Sequence, residues 1–533
     1  MITSDIIIKI LEDNNVKEVF GIPGSQILPL YDSLSKSKIK HILTRHEQGA
    51  IHASDGYARS SGKFGVCIST AGPGAMNLVM GVATAFKDSI PLLIITGDND
   101  YPVNPKNFQS IPVSNVFESI SLMSFHPKNG KEAIENLKTS IEVLKNKSNG
   151  PIHINIAKNV LLENISPSFK EEDCKINVET DDKEIKNIIS KIEKSSKPLI
   201  LCGGGVIWNN CHNDLKNFIK KNNIPLVTTI HGKGCISEYE ELNLGILGIR
   251  GSDISKYAVE NADLILSLGC KLSERTIENG IDLKEFYQKL ISVNTCENHL
   301  TKNSLNMNIK SFLNKIEGYD FKKDDTWLNE IYSNASDSLI VEGIDDSSLP
   351  LRPPFIINKI LKNKGDNIIV SDAGSHTTWT FLLAKNSNPS QLLFSGGFGP
   401  MGYGVPASIG VAIAKPDKKV FVINGDGDFQ MNLQELATIK ENNLNICIFI
   451  LNNSQLGIIK QWEKLNNMSP YQVDLNSNPD FKSLGESYNI KSFKVGTEEE
   501  LEEVLGIIDK LDEPIIVDIL TREEDIPLPS KLF

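Results

Sequence analysis

The sequence predicts an α/β protein of three doubly wound parallel-sheet domains, and three observations carry that expectation. The first is a series of short Val- and Ile-rich runs, mostly ended by Gly, Asp or Asn. They fall at 64–70, 91–97, 151–157, 197–205, 262–269, 367–374, 419–425, 445–453 and 514–520. Runs of this length and composition read as strands buried on both faces, which is the state of parallel strands. The second is the longer amphipathic stretches between them, which read as helices covering the sheets. The third is a pair of polar, weakly periodic stretches at 166–184 and 322–354, read as linkers. They divide the 533 residues into segments at 1–165, 183–322 and 350–533. Each has the size of one domain, roughly 100–200 residues. The first and third segments could be two copies of a similar fold.

Bulk composition removes several function classes. The formal charge is −12, the acidic residues are spread along the chain, and no basic patch or tail stands out. Nucleic acid is therefore not an expected partner. The eight cysteines (67, 174, 202, 211, 235, 270, 296 and 447) form no CxxC pair and have no histidine cluster beside them. They read as reduced thiols, not as a metal or disulfide framework. The opening "MITSDIIIKILEDNN" lacks a basic start and a small-residue cleavage site; it reads as an amphipathic helix capped near Thr3 or Ser4. No apolar run approaches the ~20 residues of a membrane span. A cytoplasmic protein without a membrane partner is expected.

The stretch from Gly425 to Asn453 carries the chemistry. "KVFVING" reads as a strand ending at Gly425. "NLQELATIKENN" reads as a helix that Asn432 can cap, with Glu435 three residues on in capping-box position. "NICIFIL" is the next strand, and Asn452-Asn453 ends it. Asp426 and Asn453, 27 positions apart, thus flank one βαβ unit. A right-handed crossover brings both strand ends to the same edge of the sheet, which is where doubly wound sheets bind ligands. A carboxylate and an amide oxygen are hard ligands suited to Mg²⁺ shared with phosphates. Glycines on both sides of Asp426 let the backbone approach an anion at a helix start. The plain alternative is a β-turn-α with solvated polar groups. A lone "GDG" favours that alternative; "NN" at this spacing favours the metal–diphosphate site.

Here the sequence resembles the thiamine-diphosphate enzymes, whose motif is GDG followed after one βαβ unit by NN. The resemblance implies that Asp426, the Asn453 side chain and the Gln455 carbonyl ligate the metal. A second signature, "RHEQGAIHASDGYARSSGKFGVCISTAGPGAMNLVMGVATAFKDSIPLLIITGD" (45–98), resembles the acetolactate synthase group within that family. Further similar stretches follow in the same order. They include "NFQ" (107–109), "GCKLSER" (269–275), "SDAGSHTTW" (371–379), "SGGFGPMGYGVPASIG" (395–410), "QLGIIKQW" (455–462) and "NPDF" (478–481). The resemblance covers nearly the whole chain. It implies pyrimidine-binding, central and diphosphate-binding domains, and a homodimer or homotetramer with active sites between the first domain of one subunit and the third of another. It leaves a regulatory subunit and FAD open.

Residue by residue, the resemblance makes Glu47 the carboxyl group that shares a proton with the cofactor's N1′. From "RHEQ" alone, a surface salt bridge to Arg45 or His46 is the better reading; the downstream motif reverses the preference. Met401 matches the apolar residue under the bent cofactor. Gly374, Ser375 and His376 match a phosphate-facing loop, and Gly425, Gly427, Asp428, Leu456 and Gly457 complete the cofactor set. Asp428 departs from the serine common there; a carboxylate beside a diphosphate costs energy unless it turns away or caps the helix. Phe108, Gln109, Arg275 and Trp462 match the acceptor pocket. Other departures fall after "FQ", where an Arg-Pro and a Lys are missing. They also fall at "GIRGSD" and at "ISVNTCENHL", which replaces an acidic strand end of FAD-binding members. "CGGGV" (202–206) fits a dinucleotide turn and an ordinary β-α turn equally. Three functions follow from these expectations. The first is decarboxylation of a 2-oxo acid, such as pyruvate, with carboligation to another. The second is a related decarboxylase or carboligase with a different acceptor. The third is an idle cofactor-binding homologue, against which Glu47 argues.

Overall fold

The computed structural model describes residues 1–145, 150–165, 182–248, 251–277, 280–295, 301, 303–335 and 343–527. It holds three six-stranded sheets. The first contains β1 (Glu18–Gly21), β2 (Lys40–Leu43), β3 (Gly65–Ser69), β4 (Leu92–Asp98), β5 (Met123–Phe125) and β6 (Pro151–Ala157), in the order β2-β1-β3-β4-β6-β5. The second contains β7 (Pro198–Cys202), β8 (Leu226–Thr228), β9 (Asn243–Ile246), β10 (Leu264–Leu268), β11 (Leu290–Asn294) and β12 (Ser304–Asn306), in the order β12-β11-β10-β7-β8-β9. The third contains β13 (Ile368–Ser371), β14 (Leu392–Leu393), β15 (Val420–Gly425), β16 (Ile446–Asn452), β17 (Lys491–Val495) and β18 (Ile515–Leu520), in the order β14-β13-β15-β16-β18-β17. These are the parallel α/β sheets the sequence predicts. Numbered from its own first strand, the third sheet has the same order as the first, so the two are copies of one topology. The second sheet, numbered likewise and read from its far edge, runs 3-2-1-4-5-6, the order of dinucleotide-binding sheets.

The first sheet and the third, apart from Leu392 of its edge strand β14, lie in one compact unit and the second sheet in another. Within the first unit, helix Glu47–Ser61 packs on helix Gly404–Ala414, and small residues permit the contact. A Cβ on Gly56 would stand 2.0 Å from the Ala407 carbonyl oxygen, and one on Gly410 would stand 1.8 Å from that of Ala53. Any larger residue there would force the helices apart. Beside this seam Arg59 pairs with Asp55 at 2.6 Å and Asp88 at 2.7 Å, and the Tyr403 hydroxyl donates to Asp55 at 2.7 Å. The Arg59 side chain is only 10% exposed and both carboxylates are buried, so losing one partner would leave a charge uncompensated.

Two local expectations change. The first helix spans Thr3–Asp13 with Ile2 as its cap residue. Thr3 and Ser4 lie inside it, and their hydroxyls donate instead to the carbonyls of Glu163 and Leu161. Tertiary carbonyls next to the helix start take the hydroxyls that a cap would use. The stretch 322–354 is not all linker: Thr326–Asn334 is a helix that buries Trp327, Leu328 and Ile331 in the second unit's core. Its apolar spacing is short and flanked by charge, which hides it from a periodicity count. Residues 166–181 and 336–342 of the two stretches lie outside the described residues. The six described cysteines are buried free thiols. No helix among the described residues is long and apolar enough to cross a membrane.

Candidate active site

The carboxyl edge of the third sheet gathers most of the expected residues. β15 and β16 are neighbours with Gly425 opposite Leu451, which sets Asp426 and Asn453 side by side just beyond the strands. Asp426 opens a four-residue helix, Asp426–Phe429. The stretch after it differs from expectation. It forms a 3₁₀ turn at Leu433–Glu435 and a helix at Leu436–Glu441, with no side-chain cap from Asn432. The Asn432 amide donates to the Gly402 carbonyl at 2.6 Å, and Glu435 accepts the backbone N–H groups of Arg45 and His46 at 3.0 and 2.9 Å. Partners from other elements have replaced the capping box.

Asp426 is almost fully buried and accepts a hydrogen bond from the Asn478 amide at 2.7 Å. Burial pushes its carboxyl up to about 6 despite that bond. Asp428 caps the short helix by accepting the Gly425 N–H at 3.2 Å. Burial, with the charges of Asp372 and Asp426 nearby, holds its carboxyl well above the usual carboxylate range. His376 Nε2 lies 3.4 Å from Asp428 Oδ2, and burial lowers that imidazole to about 3, so it is neutral at pH 7. A Cβ on Gly425 would stand 3.0 Å from Asp428 Oδ2 and 3.4 Å from the His376 ring, and one on Gly427 would stand 3.3 Å from the Met401 methyl. Gly457 faces the Asn453 amide and the Ser375 hydroxyl in the same way, at 3.4 and 3.7 Å. Asn453 Oδ1 accepts the Gln455 N–H at 3.1 Å, and the Leu456 N–H donates to Val473 at 2.7 Å, fixing the turn before helix Gly457–Leu465, which carries Trp462.

The remaining residues divide between two places. Glu47 is the first residue of helix Glu47–Ser61, and its Oε2 accepts from the Asn77 amide at 2.8 Å. Arg45 turns away and pairs with Glu441 at 2.8 Å, so Glu47 is not held by the salt bridge to Arg45 that its neighbours in sequence suggest. The turn after β3 touches both Glu47 and the loop of Phe108 and Gln109. A Cβ on Gly74 would stand 3.2 Å from Glu47 Oε1, and one on Gly72 would stand 2.5 Å from the Gln109 carbonyl oxygen. Phe108 is 82% exposed, and Gln109 has a φ of 61°. Arg275 sits in the second unit on the short helix Glu274–Ile277.

Comparison with known proteins decides what this edge belongs to. Residues 372–519 match the family model described as thiamine pyrophosphate enzyme, C-terminal TPP binding domain; residues 1–117 match the N-terminal TPP binding domain and 185–316 the central domain. The chain belongs to the thiamine pyrophosphate enzymes. Within that family, several relatives are named acetolactate synthase large subunits. The probable acetolactate synthase large subunits of Methanococcus aeolicus and Methanocaldococcus jannaschii are each 35% identical, across 97% of this chain and 91% of theirs. The acetolactate synthase large subunit of Lactococcus lactis is 31% identical across 99% of this chain and 93% of its own. The chain is a thiamine-pyrophosphate enzyme of the acetolactate synthase type.

The residues present fit that cofactor. Glycines 425 and 427 leave the strand end open beside a neutral imidazole, and a Cβ on Gly427 would also stand 2.9 Å from Leu456. His376 Nε2, Asn424 Oδ1 and Gln455 Oε1 are buried without hydrogen-bond partners, the state of polar atoms awaiting a ligand. Three supporting residues escape a reading of motifs. Asn478 holds Asp426, and Asn77 holds Glu47. Asp372 accepts the N–H groups of Gly402, Tyr403 and Gly404 and so shapes the turn after Met401. All three lie inside the family-like stretches, but no spacing rule separates them from their neighbours.

Proposed function

We propose that the protein decarboxylates pyruvate and joins the two-carbon unit to a second 2-oxo acid, forming a 2-acetolactate-type product. The observation that supports this reading best is the paired edge of Asp426 and Asn453, with Asn478 fixing the carboxylate. Asp426, the Asn453 side chain and the Gln455 carbonyl would hold Mg²⁺, whose hard oxygen preference suits this set. Gly374, Ser375, His376, Gly425, Gly427, Asp428, Leu456 and Gly457 would surround the diphosphate. A neutral His376 can donate a hydrogen bond to it, and the burial that raises the Asp428 carboxyl works against a second negative charge beside it. When bound, thiamine diphosphate supplies a nucleophilic carbon and an electron sink for decarboxylation.

Glu47 would share its proton with N1′ of the pyrimidine, and Asn77 orients the carboxylate for that contact. Met401 would set the bend of the cofactor. Phe108, Gln109 and Trp462 would shape the acceptor pocket, with Arg275 gripping the acceptor's carboxylate. Arginine is permanently charged and cannot protonate the two-carbon unit, which favours carbon–carbon bond formation over aldehyde release. We assign residues 1–165, 183–322 and 350–533 to pyrimidine-binding, central and diphosphate-binding domains. A homodimer or homotetramer would complete each site with the first domain of one subunit and the third of another. The large-subunit names of the relatives make a regulatory subunit a reasonable partner. FAD gains no support from Gly203 and Gly205, because a Cβ on either would stand 2.3 and 2.7 Å from Gly269 backbone atoms. Packing alone requires both glycines.

The test is product analysis by NMR after incubating the protein with thiamine diphosphate, Mg²⁺ and pyruvate. 2-Acetolactate is the expected main product. Chiefly acetaldehyde, or no consumption of pyruvate, overturns the reading.

A further inference from the structure

A cavity of about 370 Å³ opens at the carboxyl edge of the first sheet, under the loop that carries Phe108 and Gln109. That size falls within the range of small-ligand pockets. Its polar lining includes Asp98, His126, Asn155 and Ser114; Ile111 and Val113 belong to its apolar wall. None of these residues has a role in the reaction proposed above.

Asp98 is 2% exposed. Its Oδ1 accepts the Asn99 N–H at 2.7 Å and its Oδ2 accepts from the Asn155 amide at 2.6 Å. Each oxygen keeps one acceptor position. His126 Nε2 lies 3.4 Å from Asp98 Oδ2, buried and without a hydrogen bond. Ser114 Oγ is also buried and unpartnered. The cavity thus presents a buried carboxylate, an imidazole nitrogen and a hydroxyl, beside an aliphatic wall.

We propose that this cavity binds a primary ammonium group carrying a short aliphatic body. An ammonium has three donors and no acceptor; the free acceptor positions of the Asp98 carboxylate and the Ser114 hydroxyl take its protons, and its charge meets the carboxylate. A carboxylate ligand would face Asp98 with like charge, and an alcohol, with a single donor and no charge, would leave the carboxylate uncompensated. The equivalent edge of the third sheet sharpens the argument. There an amide, Asn452, occupies the position of Asp98, beside the Asp426 edge proposed to hold a diphosphate and its metal. The first sheet has a carboxylate in that position, which selects a cation.

Occupancy would reach the substrate loop through one residue. Asn99, whose N–H is bound by Asp98, donates its side-chain amide to the Phe108 carbonyl at 3.1 Å and accepts from Gln26 at 3.0 Å. A ligand on Asp98 therefore bears on the segment that presents Phe108.

Titration calorimetry of the full chain with n-butylammonium chloride tests this, with 1-butanol and sodium butyrate as controls at matched ionic strength. The expected result is saturable one-to-one binding of butylammonium only. Asp98→Asn should weaken it at least about tenfold, as expected when a charge-assisted contact is lost. Ile111→Trp, on an exposed loop position, should fill the cavity and abolish binding while the fold persists. Hydrogen exchange should slow across 98–115 when butylammonium is bound. Equal binding of butanol or butyrate, no saturation by butylammonium, an unchanged affinity in Ile111→Trp, or protection confined to another segment would each overturn the proposal.

Discussion

The first and third sheets share one strand order, yet their carboxyl edges are built with opposite polarity. In the third sheet Asn452 ends β16 opposite Leu520, and its amide donates to Asp518 on β18 at 3.0 Å. In the first sheet Asp98 ends β4 opposite Ala157, and it accepts from Asn155 on β6 at 2.6 Å. Asp518 and Asn155 occupy the same register, each two residues before the partner of the strand end. The same carboxylate–amide pair therefore occurs in both sheets with its members exchanged. The exchange decides which group stands at the rim. In the third sheet the amide is outermost, so no extra negative charge joins Asp426 where a diphosphate is proposed to bind. In the first sheet the carboxylate is outermost and faces an imidazole. Topology supplies the position, and the choice of residue at one strand end sets the ligand's charge.

The two sheets also divide the proposed chemistry, with proton handling on the first and binding on the third. The largest effect should come from breaking the first. Glu47→Gln should bind thiamine diphosphate as the parent does and lose roughly 10²–10⁴ in rate, the range for a positioned proton-transfer group. H/D exchange at C2 of the bound cofactor measures the step directly; parent-like exchange would remove Glu47 from that role. Asp426→Ala should do the reverse and weaken binding of Mg²⁺ and thiamine diphosphate together. Asn478→Ala should weaken metal binding by about 10–100-fold, since it removes the partner that orients the ligand. Calorimetry showing unchanged affinity in both variants would refute the metal assignment.

The exchanged pair can be tested by exchanging it again. Asn452→Asp sets a second carboxylate against buried Asp518, and like charges in a dry site cost roughly 2 kcal/mol or more. The midpoint of urea unfolding of the cofactor-free protein should fall. The double variant Asn452→Asp with Asp518→Asn rebuilds the arrangement of the first sheet and should recover most of the loss. Asp98→Asn should cost less than Asn452→Asp: Asn155 can still donate to the new amide oxygen and a buried charge disappears, although the new NH2 loses the bond from the Asn99 N–H. If Asn452→Asp is as mild as Asp98→Asn, the two edges are not electrostatically distinct.

The contrast between the sheets also shows what a single sequence reveals. Parallel strands such as β6 and β15 are legible because a strand buried on both faces must be a continuous apolar run, and few other elements are that short. Asp426 and Asn453 are legible because both lie at strand ends, where the βαβ rule fixes their neighbour. Glu435 misleads, because its spacing from Asn432 copies a capping box while its carboxylate serves the start of a distant helix. Asn478 and Asp372 are silent because each acts through another element far along the chain. The Asp98–Asn155 pair emerges only from comparing two registers, which no local pattern contains.

The smallest expected effect concerns acid. His153 is buried on β6, stacked on Phe117 with ring centroids 4.1 Å apart; the third sheet has Ile516 at the equivalent place. Thr96 gives its hydroxyl proton to Asn155 at 2.8 Å, so His153 Nε2, also 2.8 Å from Thr96, must carry the hydrogen, and Nδ1 faces Ser124 at 2.9 Å. Burial lowers this imidazole to about 3 from its ordinary 6.5, with the nearby charge of His126 adding to the shift. The sign follows from proton counts. Between pH 6.5 and about 3 the unfolded chain binds a proton at His153 that the folded chain does not. Stability from this residue is therefore complete above pH 6.5 and declines as pH falls, by at most about 1.4 kcal/mol per unit. His153→Gln can keep a hydrogen bond to Thr96 without titrating. Its urea midpoint should be lower than the parent's at pH 7.5, and the gap should narrow by pH 5.5. A gap that stays constant would show that His153 is protonated in the folded protein, and the acid sensitivity would then belong elsewhere.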